Sequence, residues 1–96
     1  MKIYLTALLK FKPGTTAQAK GYLEALVKAS NQEEACEQYE LYQSADDDTQ
    51  FIFHETWASA DGLQQHEQQP HFKLFVQQIG DIVDGPLSIF KTDRVA

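Results

Sequence analysis

Apolar and polar positions alternate from the start of the chain. Ile3, Leu5, Ala7, Leu9 and Phe11 fall on one side; Lys2, Tyr4, Thr6, Leu8 and Lys10 fall on the other. A period of two predicts a strand with one face on a core. Pro13-Gly14 ends it, and Thr15 or Thr16 is placed to N-cap the next element. From about Thr16 to Asn31 the period changes. Tyr22, Leu23, Leu26 and Val27, with Ala19 and Ala29 as small fillers, make one stripe of an amphipathic helix. Alternation returns at Cys36–Ser44, where Tyr39 and Leu41 oppose Gln38, Glu40 and Tyr42, and again at Gln50–Trp57. Asp46-Asp47-Asp48 joins these two strands as a hairpin turn.

Ser59 is a good N-cap for the next helix, in which Leu63 and His66 share a face. Gly62 weakens that helix, and Pro70 interrupts it. A second helical piece carries Phe72, Phe75, Val76 and Ile79 and ends at Gly80. Asp84-Gly85-Pro86 marks a loop before a last strand, Pro86–Asp93. The order β-α-β-β-α-β is the split βαβ of an α+β, ferredoxin-like fold: an antiparallel four-stranded sheet with helices on one face, in a single domain spanning 1–96. The other face would carry Tyr4, Leu8, Ile52 and Phe90, which is too apolar to leave in water. A homodimer packed through this face, a dimeric α+β barrel, is therefore expected.

Composition narrows the function classes. The 96 residues suffice for one domain with a thin core, at 43% hydrophobic. A net charge of −6 argues against nucleic acid and against an anionic membrane surface as partners. One cysteine, Cys36, offers no internal disulfide, and it reads as a small buried hydrophobe. Lys10 and Lys12 break up the apolar N-terminal stretch, which does not read as a signal peptide, and no apolar run nears the roughly 20 residues of a membrane span. A cytoplasmic protein is the expectation.

The chemistry is concentrated in one segment. All three histidines (His54, His66, His71), the only Trp and the carboxylate of Glu55 lie within 51–72. Alternation puts Phe51, Phe53, Glu55 and Trp57 on the inward face and His54 on the outer one. There is no Gly-rich phosphate loop, no G-x-S-x-G and no H-E-x-x-H, so no NAD, flavin or ATP site is implied. The three aspartates lack the Gly and distal Glu of a calcium loop. A Glu55–His66–His71 metal site is set aside, because the spacing matches no standard signature and Pro70 intervenes.

The motif Glu55-x-Trp57, then His66, then Pro70-His71-Phe72, resembles the antibiotic biosynthesis monooxygenase family. Lys12-Pro13-Gly14 and Gly85-Pro86 are similar as well, so the resemblance spans nearly the whole chain. It implies the ferredoxin-like dimer and a monooxygenase that works without flavin, metal or haem on a small quinol or polyphenol, in a pocket between sheet and helices. The haem-degrading branch uses an Asn on the first strand; none occurs between Met1 and Phe11, which counts against that activity. The chemistry requires a base, a dry pocket and donors for an anion. His66, Trp57 and Glu55 are the catalytic candidates, with His71 as the other possible base. Glu55 is alternatively a partner that fixes His66. Phe51, Phe53 and Phe72 are candidate pocket walls; Tyr22 and Tyr39 are candidate donors to a quinone oxygen. Two other readings stand beside this one. One is an isomerase of a small hydroxy-ketone or phosphorylated metabolite, the phosphate being disfavoured because only Lys73 lies near the motif. The other is a non-enzymatic small-molecule-binding or stress-response dimer.

Overall fold

Four strands and three helices follow the predicted order in a computed structural model that describes all 96 residues. They are β1 (Ile3–Lys10), α1 (Thr16–Ser30), β2 (Cys36–Gln43), β3 (Gln50–Trp57), α2 (Ala60–Glu67), α3 (Pro70–Ile79) and β4 (Ser88–Thr92). The sheet order is β2-β3-β1-β4, and all three pairings are antiparallel. This is the ferredoxin-like arrangement, with the helices gathered on one face.

Register explains the core. Leu9 lies opposite Phe51, Ala7 opposite Phe53, and Leu5 opposite Glu55, so across β1 and β3 this face is apolar except for a single carboxylate. Ala19, Leu23 and Leu26 of α1 and Phe75 and Ile79 of α3 are buried against it. A slip in register between Cys36 and Gln38 lets Tyr39 join this face. Cys36 itself is only partly buried, contrary to the expected buried hydrophobe, because it sits at that irregular end of the strand.

Two local readings change, at the start of α1 and in the last strand. Thr15 takes the N-cap position of α1 but makes no side-chain cap; its hydroxyl turns back and donates to the Lys12 carbonyl at 2.6 Å. Asp47 folds the acidic turn onto itself by accepting from the Thr49 backbone N–H and hydroxyl. The last strand is shorter than Pro86–Asp93, since Pro86 has no N–H for the ladder. Ser59 caps α2 as expected, accepting from the Gly62 N–H at 3.1 Å. Pro70 takes the first turn of α3, where no N–H is needed. The helix break after Glu67 is thus a clean restart that turns His71 back toward α2.

Candidate functional site

The site is built where α2 meets the loop after α1. Gly62 has no side chain, and a Cβ there would collide with the Ala35 Cβ. That close approach brings α2 down onto the segment 33–35. Glu33 then reaches His66: its Oε2 lies 2.6 Å from His66 Nδ1 and 2.7 Å from His71 Nε2. One carboxylate oxygen thus accepts from two imidazoles. His66 is 2% exposed and the Glu33 side chain only 10%.

The His66 ring packs against three aromatics. It lies 4.5 Å from Trp57, 4.9 Å from Phe72 and 5.5 Å from Tyr39, centroid to centroid. Burial pushes its pKa down, partly opposed by the Glu33 carboxylate, so the ring is neutral at pH 7. With Nδ1–H directed at Glu33, Nε2 is left with a free lone pair. This is the arrangement of a carboxylate-oriented base.

Next to the dyad is a cavity of about 290 Å³ between the sheet and the helices. Leu5, Ala7, Leu9, Phe53, Leu63, Phe72, Phe75 and Ile79 give it an apolar lining, and its few polar groups include Tyr39, Glu55, His66 and Lys91. Leu87 and Ile89, both substantially exposed, also line it, so it opens beside β4. Burial raises the Tyr39 phenol well above its ordinary value, with the Glu55 carboxylate adding to the effect, so Tyr39 remains a hydrogen-bond donor. Glu55 is raised by burial to about 7, and the indole N–H that it accepts from Trp57 at 2.9 Å limits the rise.

The sequence candidates therefore separate. His66, Glu55, Phe53, Phe72 and Tyr39 line the cavity. Trp57 does not; it is fully buried beneath His66, and its N–H is taken by Glu55. Phe51 packs edge-on against Phe11 at 5.8 Å and is core, away from the cavity. Tyr22 is on the flank of α1, where its hydroxyl accepts from the Gln18 amide at 3.1 Å, and it does not reach the cavity. His71 bonds Glu33 and lines a polar surface depression instead. His54 is exposed on the opposite sheet face, edge-on to Tyr42. Glu55 bonds Trp57 rather than His66. The residue that fixes His66 is Glu33, which no sequence motif singles out. Glu33 lies in an aperiodic stretch, and its partners are 33 and 38 positions away.

Comparison with known proteins agrees with the fold. A family model described as antibiotic biosynthesis monooxygenase matches residues 2–78. The Bacillus subtilis protein named "Putative monooxygenase YcnE" is 28% identical over 91 residues, covering 95% of this chain and 96% of that one. The crystal structure of PA3566 from Pseudomonas aeruginosa has a TM-score of 0.93 at 28% identity, covering 99% of this chain and 95% of that one. Rv0793 from Mycobacterium tuberculosis has a TM-score of 0.92 at 22% identity over 100% of this chain and 97% of that one, a likeness of fold alone.

Proposed function

The chain belongs to the antibiotic biosynthesis monooxygenase family, and from that premise we propose that it oxidises a small quinol or polyphenol with dioxygen, unaided by a cofactor, in the cavity beside His66. The observation that carries the proposal is the juxtaposition of a Glu33-oriented, neutral imidazole with an apolar cavity large enough for one aromatic ring system.

The steps follow from the groups present. The substrate hydroxyl gives its proton to His66 Nε2, and Glu33 stabilises the imidazolium through Nδ1–H. Tyr39 donates to the phenolate oxygen, and the apolar walls keep water from the electron-rich anion. The anion passes electrons to dioxygen, and the reduced oxygen adds to the ring carbon. Glu55, which titrates at about 7, delivers the proton with which the O–O bond breaks and water leaves. For a quinol the balance is one quinol plus one dioxygen giving one hydroxyquinone plus one water. Trp57 acts through others, as the platform under His66 and the donor that holds Glu55; it is a positioning residue.

The test is oxygen uptake by chelator-treated protein over a panel of hydroquinones and polyphenols. Uptake above autoxidation is expected, falling by about 10²–10⁴ in His66→Ala, the range a lost general base gives. Trp57→Phe keeps the platform but frees Glu55, so it should lower kcat with KM little changed. Absence of uptake across the whole panel contradicts the proposal and favours the isomerase or binding readings.

A further inference from the structure

Glu33, His66 and His71 come from three separate segments: the loop after α1, the last turn of α2 and the first turn of α3. One donor atom from each lies within 4.8 Å of the others. We infer that these three atoms form a site for a divalent transition cation, and that the cation, once bound, switches off the base. The site differs from a Glu55–His66–His71 arrangement, because the carboxylate is Glu33 and not Glu55.

Two imidazoles and a carboxylate suit Zn(II), Co(II), Ni(II) or Fe(II), and they do not suit Mg(II) or Ca(II), which prefer all-oxygen sites. The present separations of 2.6 and 2.7 Å are hydrogen bonds. Ligands about 2.1 Å from a metal stand roughly 3.0–3.4 Å apart, so each Glu33–imidazole pair must open by about half an ångström while the two imidazole nitrogens, now within 4.8 Å, draw together. Each ring keeps one proton by moving it to its other nitrogen, and no charge has to be created. His66 is held rigidly by Trp57 and Phe72. His71 and Glu33 line a polar depression with Gln65 and Gln69, which gives the ion an entry path and leaves room for water ligands. A metal on Nδ1 forces the His66 proton onto Nε2, the nitrogen that faces substrate in the oxygenase reading. Binding is independent of that reading; inhibition rests on it.

The experiment uses tag-free, chelator-stripped protein titrated with Co(II), followed by visible absorption, and with Zn(II), followed by calorimetry. One ion per chain is expected for either metal, with no binding of Mg(II). Glu33→Gln and His71→Ala, which both alter partly accessible side chains, should each weaken binding by more than about a hundredfold, beyond the effect of losing an outer-shell partner. His54→Ala should leave it unchanged. Absence of saturable binding, or binding that survives both Glu33→Gln and His71→Ala, overturns the site. In the second arm, stoichiometric Zn(II) should abolish oxygen uptake by the wild type but not the residual uptake of His71→Ala. Undiminished uptake by Zn-loaded wild type overturns the switch and leaves the site standing. If no substrate is found, the first arm alone decides the site.

Discussion

Glu55 is the residue whose environment departs furthest from its chemistry. A carboxylate 7% exposed on an apolar face prefers to be neutral, and its pKa rises from 4.5 to about 7. The folded state therefore holds this proton more tightly than the unfolded chain does. The associated stability is fully present below about pH 4.5 and is lost as pH rises through 7. Glu55→Gln, which stays neutral and can still accept from Trp57, should remove that slope. The gain at pH 8 over wild type would be on the order of 3 kcal/mol in urea unfolding. Parallel pH profiles for the two proteins would contradict the assignment. That Glu55 and Trp57 share a face was legible from alternation alone, because strand geometry leaves no other choice. That they bond each other was not, since either could have reached across to His66. Glu33 was invisible for a different reason: residues 31–35 carry no period, and only the tertiary approach of α2 gives Glu33 its partners.

At the scale of elements, the alternating strands and the amphipathic α1 were readable because the burial pattern and the backbone period agree. The Pro70 break was readable too, because proline removes the N–H that a continuing helix needs. From the sequence, Gly62 is only a weak helix residue. In the structure it is the contact that seats α2 against Ala35, and so the reason His66 meets Glu33. Gly62→Ala should gain about 1 kcal/mol of helix propensity and lose more to overpacking, for a net loss of about 1–2 kcal/mol. Because α2 must tilt away to accept the methyl, kcat should fall with it. Thermal unfolding and oxygen uptake measured on the same preparation check this; an unchanged kcat would mean that the Glu33–His66 contact does not depend on the seating of α2.

For the whole molecule, we propose that the sheet face turned away from the helices is the contact between two copies. Tyr4 is 38% exposed, Tyr42 50% and Phe90 53%, with Leu8 and Ile52 partly exposed among them. An apolar surface of this breadth on a 96-residue chain predicts a homodimer through the sheet. Ile52→Asp should make the protein monomeric in sedimentation equilibrium, and a wild type that is already monomeric at micromolar concentration would refute the dimer. The layering itself, one helix-covered face holding the cavity and one bare face, was legible from the sequence because each strand carries two distinct sides. The cavity was legible only in outline. Phe53 and Phe72 reach it while Phe51 and Tyr22 do not, since alternation gives the face of a residue but not which part of the core it fills. The most direct test of the central claim is turnover of an accepted quinol under ¹⁸O-labelled dioxygen with the chelator-treated protein. One labelled atom in the hydroxyquinone and one in water is the predicted result; an unlabelled quinone with all the label in hydrogen peroxide would show an oxidase and contradict it.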